Sequence, residues 1–230
     1  MKIIGILGGL GPEATAELFL RIIKATPARR DQDHIPIIIY NNPKVPDRTA
    51  AILYGGENPL PELIKTARML ERFGVDFIIM PCNTAHYYYD ALKSSVKIPF
   101  LNMIELTVKR VREMYPEVKV AGLLATTGTV RTGLYQKFFE DYGVNVIVPG
   151  DEDQKLVMRG IYDGVKAGDN VLGRKLLLEV ANKLVVDGAE LMVLGCTEIS
   201  VVIKSGDLSV PIIDPLQVLA EESVKMALSK

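Results

Sequence analysis

The sequence predicts an α/β protein made of two similar lobes, each built around a doubly wound parallel sheet. Two observations predict this fold. Short apolar runs of strand length alternate along the chain with stretches of helical periodicity, which is the pattern of parallel strands joined by helices. The same series then begins a second time near residue 119, which indicates an internal duplication.

The elements of the first half follow in order from this pattern. Apolar runs predict strands over residues 3–7, 35–40, 77–80 and 98–101. Helical periodicity predicts helices over residues 12–25 and 60–73, and a third helix that starts at about Thr84. Pro12 fits the first turn of the first helix, where its missing N–H costs nothing.

The duplication is visible in three aligned pairs of segments. Residues 2–11 align with 119–128, residues 74–82 with 188–196, and residues 96–102 with 208–214. The separations are 117, 114 and 112 residues, so the copies keep one order with only small changes of length. We therefore expect a first lobe over residues 1–100 and a second over 101–214. A last helix, within 215–230, is expected to return to the first lobe.

Composition and charge exclude several classes of protein. Apolar residues make up 48% and charged residues 24% of the chain, as in an ordinary globular protein. The formal net charge of −1 gives no electrostatic reason to bind nucleic acid or a membrane surface. The apolar runs are too short to span a bilayer, and the first residues lack the pattern of a signal peptide. We therefore expect a cytoplasmic protein without membrane or nucleic-acid partners.

Cys82 and Cys196 are the only cysteines, and each follows a strand-like run at the same place in its copy. Ligand crevices of α/β sheets form at the carboxyl ends of strands, so the duplication predicts one thiol on each wall of a cleft between the lobes. A helix that starts beside each thiol would favour the thiolate. A structural zinc site needs about four clustered Cys or His ligands, so no metal is expected. The alternative for each thiol alone is a small buried apolar side chain.

Two matched thiols suit racemisation better than hydrolysis. A thiol hydrolase uses one cysteine with a histidine base, and the second motif has no nearby histidine. In a racemisation, a base removes the α-proton from one face of the substrate while an acid supplies a proton from the other. The two groups exchange roles in the reverse direction, so equivalent groups are favoured.

The residues around both cysteines carry a family resemblance. Residues 78–86, IIMPCNTAH, and residues 192–200, MVLGCTEIS, resemble the two signatures of the aspartate/glutamate racemase superfamily. The opening GGLGPEAT of residues 8–15 is similar to that of the aspartate racemases within it. Glutamate racemases typically open with Asp-Ser-Gly and carry His where this chain has Glu198. The resemblance covers essentially the whole chain. It implies Cys82 and Cys196 as acid and base for aspartate, no cofactor or metal, and commonly a homodimer.

Substrate-binding residues are predicted around both thiols. The turn containing Leu10 and Gly11 offers backbone amides to a carboxylate, with a purely structural turn as the alternative. Thr127 is its counterpart in the second copy. Arg48 lies near a strand end and suits either a carboxylate clamp or a surface ion pair; the resemblance favours the clamp and points to Lys166 as its partner. The remaining predicted contacts adjoin the cysteines: Asn83, Thr84, Ala85, Thr197 and Glu198.

Other functions stay open at this point. One is racemisation of glutamate or a broader set of amino acids, or an isomerase or decarboxylase reaction on a related dicarboxylate. Superfamily decarboxylases tend to keep one catalytic cysteine, whereas this chain has two. Another is a catalytically silent binder of acidic amino acids, which the presence of both thiols disfavours.

Overall fold

A computed structural model describes residues 1–229 and divides the chain into two compact units. The first unit comprises Met1–Leu106 and the segment that begins at Leu216, and the second comprises Thr107–Pro215. Residue 230, the last of the helix predicted over 215–230, lies outside the described residues. Each unit contains a parallel sheet flanked by helices, so the predicted α/β class is confirmed.

The helices and strands alternate throughout both units. The strands are β1 (Ile4–Gly8), β2 (Ile37–Asn41), β3 (Phe77–Ile79), β4 (Val120–Ala125), β5 (Asn145–Ile147), β6 (Leu191–Gly195) and β7 (Ile212–Ile213). The helices are α1 (Pro12–Ala25), α2 (Arg48–Leu53), α3 (Leu60–Arg72), α4 (Tyr89–Ser94), α5 (Met103–Met114), α6 (Thr127–Arg131), α7 (Leu134–Glu140), α8 (Asp151–Arg159), α9 (Asn170–Val186), α10 (Ile199–Val202) and α11 (Pro215–Leu228). Short 3₁₀ turns cover Asp31–Asp33, Thr84–Tyr88 and Val165–Ala167, and a π-helical turn covers Gly160–Gly164.

The three strands of the first sheet have the same order as the first three strands of the second. The first runs β2-β1-β3 and the second β5-β4-β6-β7, with every pairing parallel. The fourth strand predicted over residues 98–101 is reduced to one parallel bridge between Ile78 and Phe100. Asn102, which follows this segment, accepts hydrogen bonds from the amides of Ile104 and Glu105 in the first turn of α5.

The register of the strands confirms the duplication residue by residue. Ile4 pairs with Phe77 in the first sheet, and Ala121 pairs with Leu191 in the second. These pairs are related by the separations of 117 and 114 residues found in the sequence. Ile78 likewise faces Phe100 as Met192 faces Ile212, which reproduces the separations of 114 and 112.

The same relation extends to a side chain at the start of the third strand of each sheet. The Asp76 carboxylate accepts a hydrogen bond of 2.6 Å from the amide of Ile3. Glu190 occupies the matching place and accepts one of 3.2 Å from the amide of Val120. Each carboxylate thereby satisfies an amide where the central strand begins, at Ile3 just before β1 and at Val120 in β4.

In the first sheet, β1 and β3 are buried on both faces, as expected of parallel strands covered by helices, whereas the edge strand β2 is partly exposed. Ile4 and Ile6 of β1 pack on one face against α1 and α11, where Leu219 is fully buried. Leu7 points to the opposite face, in a cluster with residues of α3. Among the helices within residues 1–229, none is both long and apolar enough to cross a bilayer.

Candidate active site

Cys82 lies just beyond the end of β3 and is 7% exposed. Its amide donates to the carbonyl of Met80 at 2.9 Å, which turns the chain sharply after the strand. The segment that follows is a 3₁₀ turn over Thr84–Tyr88, and the α-helix expected from Thr84 begins only at Tyr89. The predicted neighbours Asn83, Thr84 and Ala85 are all buried in this turn.

His86 ties the Cys82 turn to the start of α5. Its Nε2 accepts a hydrogen bond of 3.0 Å from the amide of Met103, and its Nδ1 lies 2.8 Å from the carbonyl of Cys82. The amide can only donate and the carbonyl can only accept, so the ring is neutral with its proton on Nδ1. Burial lowers the pKa of His86 to about 4, opposed by the hydrogen bond to Cys82. His86 is therefore a structural bridge rather than a base for the thiol.

The predicted carboxylate-binding turn connects β1 to α1. Gly9 has φ of +92°, and its amide donates to the Thr15 hydroxyl at 3.0 Å. Thr15 in turn donates to the carbonyl of Gly11 at 3.0 Å. One amide of the turn is thus used within the fold. Leu10 is buried, and Gly11 immediately precedes α1, whose first amides have no partner within the helix.

Arg48 is the first residue of α2 and is partly buried. Its Nη2 donates to the carbonyl of Leu10 at 2.7 Å, and its Nη1 donates to Pro46 at 3.0 Å and to Val45 at 3.3 Å. The guanidinium therefore holds the β1–α1 turn against the loop that leads into α2. This brings Arg48 together with the predicted Leu10–Gly11 turn in the first unit.

In the second unit, Cys196 follows β6 and is 6% exposed. Its Sγ donates a hydrogen bond of 3.0 Å to Oε2 of Glu198, to which the Thr197 hydroxyl also donates at 3.3 Å. The other oxygen of Glu198 forms an ion pair of 2.5 Å with Lys166, which projects from the Val165–Ala167 turn. Four of the five predicted residues of this unit are thus in one hydrogen-bonded group.

The protonation states of this group differ from the sequence-based expectation. Burial raises the pKa of Cys196 well above its ordinary value, and the charge of Glu198 and the hydrogen bond to it raise it further. Burial would raise the pKa of Glu198 as well, but the Lys166 ammonium and the hydrogen bonds from Cys196 and Lys166 outweigh it and lower that pKa. The expected thiolate is therefore wrong for Cys196 in this state. Helix α10 starts only at Ile199 and has four residues, too short to offset an adjacent carboxylate.

Thr127, the fifth predicted residue, begins α6 at the end of β4. Its hydroxyl accepts a hydrogen bond of 3.2 Å from Nε2 of Gln154, which also donates to the carbonyl of Ala125 at 3.0 Å. Thr126 caps the helix by accepting from the amide of Thr129. Gln154 is a buried polar residue of α8 that the sequence did not single out.

Tyr135 is another such residue. It is fully buried on α7, and burial raises its pKa well above the ordinary value, with smaller effects from Thr107, Asp214 and Cys196. The influence of Cys196 puts the phenol near that thiol. A single tyrosine within a helical pattern predicts only a side chain packed in the core. No feature of the sequence therefore indicated that Tyr135 lies near Cys196.

A metal site requires several His, Cys, Asp or Glu side chains close together. Within residues 1–229, no three His, Cys, Asp or Glu side chains gather in a way that could hold a metal ion. Each unit contains groups suited to carboxylates: Arg48 and the first amides of α1 in the first unit, and Lys166 in the second.

Known proteins resemble the chain along nearly all its length. A solved aspartate racemase from Picrophilus torridus has 36% identity and a TM-score of 0.89, over 99% of this chain and 94% of that one. An aspartate racemase homologue from Pyrococcus horikoshii has 27% identity and a TM-score of 0.79, with both chains fully covered. The broad specificity amino-acid racemase RacX of Bacillus subtilis is 29% identical over 98% of both chains. The model of the Asp/Glu/hydantoin racemase family matches residues 7–223, and the chain belongs to that family.

Proposed function

We propose that this protein is an aspartate racemase that works without a cofactor and uses Cys82 and Cys196 as acid and base. The observation that carries the proposal is the equivalence of the two thiols. Cys82 and Cys196 are 114 residues apart, and so are equivalent positions of β3 and β6. Each thiol therefore follows the equivalent strand in its own copy of the sheet. Two equivalent acid–base groups are what the inversion of one carbon centre requires.

In the proposed reaction, one cysteine enters as thiolate and removes the α-proton from one face of aspartate. The other enters as thiol and delivers its proton to the opposite face. Each turnover exchanges the protonation states of the two sulfurs, and the reverse reaction restores them. The developing negative charge at Cα and the α-carboxylate needs nearby donors, which we assign to the amides of the Leu10–Gly11 turn and to Thr127.

Aspartate is favoured as the substrate by the cations near the two thiols. We assign Arg48 and Lys166 to its side-chain carboxylate. The similarity to the aspartate racemase of Picrophilus torridus supports this choice. A broader specificity is the competing candidate, since a relative of comparable coverage is named a broad specificity racemase. We also retain the expectations of a cytoplasmic homodimer; light scattering of the purified protein tests the dimer.

The first test is chemical. The purified protein is incubated with L-aspartate, L-glutamate and a panel of other L-amino acids without added cofactor, followed by chiral analysis. We expect D-aspartate to form fastest. Equal rates for many amino acids would favour the broader specificity. If no amino acid racemises and none exchanges its α-hydrogen in deuterated water, the protein is a binder rather than a racemase.

The second test separates the two thiols. Cys82→Ser and Cys196→Ser should each lose nearly all racemisation, because a hydroxyl is far too weakly acidic to replace a thiol near neutral pH. Each variant should still exchange the α-hydrogen of one enantiomer, and the two variants should prefer opposite enantiomers. Exposed Ser94→Ala serves as the control and should racemise at the parental rate. Parental activity in either cysteine variant would disprove the two-base mechanism.

A further inference from the structure

The two thiols have different partners although they occupy equivalent places. Glu198 follows Cys196 by two residues, and its carboxylate accepts the hydrogen bond from that thiol at 3.0 Å. The residue two positions after Cys82 is Thr84, which carries no charge. The duplicated frame therefore presents one thiol with a carboxylate at this position and the other without one.

The carboxylate of Glu198 is itself held in place. It is 7% exposed, and Lys166 pairs with its second oxygen at 2.5 Å. The Lys166 side chain is 28% exposed and its ammonium lies 5.8 Å from the ring centre of Tyr162. A buried carboxylate that keeps a cation on one oxygen remains ionised, and its other oxygen is then a strong acceptor for an S–H donor.

We propose that Glu198, held by Lys166, keeps the proton on Cys196 in the ligand-free protein, so that Cys196 enters the reaction as the acid. The role of Cys196 as the acid rests on the function proposed above, whereas the location of the proton does not. Glu198 is in this proposal a positioning residue that acts through Cys196. In the step that follows, the Cys196 S–H bond breaks as its proton passes to Cα, and the thiolate of Cys82 takes the α-proton.

The groups near Cys196 within its unit have a net effect that favours the protonated thiol. Burial and Glu198 raise the pKa of the thiol, and Lys166 opposes them only in part. Tyr135 on α7 stays a neutral phenol and adds no charge, and Asp214 acts on Tyr135. The pKa of Glu198 is lowered while that of Cys196 is raised, so the proton between them belongs to sulfur.

Turnover rates alone cannot test this location of the proton. L- and D-aspartate have equal free energies, so the equilibrium constant is one and kcat/KM must be the same in both directions at every pH. A proton that prefers one sulfur over the other therefore does not change the ratio of the two kcat/KM values. The thiol has to be titrated directly, and the chain makes this simple because it contains two cysteines.

The experiment uses Cys82→Ala, in which Cys196 is the remaining thiol, without substrate. The ultraviolet absorbance of the thiolate is measured as a function of pH in this variant. It is also measured in three double variants that combine Cys82→Ala with Glu198→Gln, Lys166→Met or Glu179→Gln. Glu179 is an exposed carboxylate of α9 and gives the matched control. Circular dichroism establishes that each variant folds, and alkylation of Cys196 against pH, read by mass spectrometry in proteins that retain Cys82, gives a second measurement.

We expect the midpoint of Cys196 to lie well above that of a free cysteine. Glu198→Gln should lower it by at least about one pH unit, because a neighbouring negative charge is removed. Lys166→Met should raise it, and Glu179→Gln should leave it unchanged. A midpoint that responds equally to Glu198→Gln and Glu179→Gln would overturn the inference. A protein that shows the expected midpoints but racemises nothing would instead disprove the proposed function alone.

Discussion

At the residue scale, Arg48 combines a structural and a proposed binding role. Three backbone carbonyls fix its guanidinium, so the cation is already positioned before any substrate arrives. Preorganised charge of this kind loses little side-chain entropy on binding a carboxylate. The contacts that hold the turn are therefore compatible with the clamp role that we propose for Arg48.

Replacing Arg48 by alanine should lower kcat/KM for aspartate by at least about 100-fold, since loss of a charged partner from a half-buried site costs a few kcal/mol. Arg68→Ala is the control, because Arg68 is exposed and also donates to a carbonyl, that of Ser95 at 3.3 Å. The measurement is the initial rate at several aspartate concentrations, with the thermal midpoint of each variant. Equal kinetics for the two variants would remove Arg48 from the proposed site.

At the element scale, the β1–α1 turn depends on the backbone of Gly9. A Cβ added there would clash with the backbone of Asn42, and φ of +92° is strained for any other residue. Gly9→Ala should therefore lower the free energy of unfolding by at least about 3 kcal/mol. Gly55 also has positive φ but has open space around it, so Gly55→Ala should cost only about 1 kcal/mol. Urea denaturation of both variants measures the difference; similar costs would contradict the close approach.

The His86 bridge between the Cys82 turn and α5 predicts a pH dependence of stability. Its pKa is about 4 in the folded protein and 6.5 in an unfolded chain, so the unfolded chain binds the extra proton between these values. His86 therefore contributes a stability that is fully present above pH 6.5 and falls by about 3 kcal/mol as the pH drops to 4.

Chemical denaturation of the protein and of His86→Gln at pH 7, 6 and 5 measures this contribution. The free energy of unfolding should fall more steeply with decreasing pH in the parent than in the variant. His34→Gln is the matched control, because His34 is the other of the two histidines and lies before β2. Parallel pH profiles for the parent and His86→Gln would show that the ring is not held neutral.

At the scale of the whole molecule, the first unit is completed by a helix from late in the chain. Leu219 of α11 is fully buried against β1 and α1, whereas Leu228 on the same helix is 40% exposed. Leu219→Ala should cost about 2–5 kcal/mol, and Leu228→Ala should cost less than about 1 kcal/mol. Hydrogen exchange should show the loss of protection for Leu219→Ala in β1 and α1 rather than in β4 and β6. Equal loss in both units would contradict their separate cores.

Much of this architecture was predictable because it depends on repeated local patterns. The separations of 117, 114 and 112 residues in the sequence reproduce the strand register of both sheets. The helix over Pro12–Ala25 has the bounds that its periodicity and Pro12 predicted. The predicted length of the fourth strand was wrong. The apolar run over residues 98–101 does not reveal that Asn102, directly after it, caps α5.

The candidate site was predictable only in part, because protonation depends on partners distant in sequence. Cys82, Cys196 and the neighbouring polar residues stood out from their motifs. Burial and the neighbouring Glu198 carboxylate raise the pKa of Cys196 and so reverse its expected ionisation, and that carboxylate is paired with Lys166, 32 residues away in the sequence. The contribution of Gln154 likewise depends on a helix that follows Thr127 by more than twenty residues.

The discontinuous first unit has a consequence for synthesis on the ribosome. The second unit, Thr107–Pro215, is complete in sequence before the helix that closes the first unit has been made. Until that helix emerges, the faces of Ile4 and Ile6 that it covers stay open, and the amide of Lys2 lacks the carbonyl of Ala227. The nascent chain therefore carries an unfinished apolar surface through the translation of more than a hundred residues. That interval is when chaperone binding and aggregation compete with folding of the first unit.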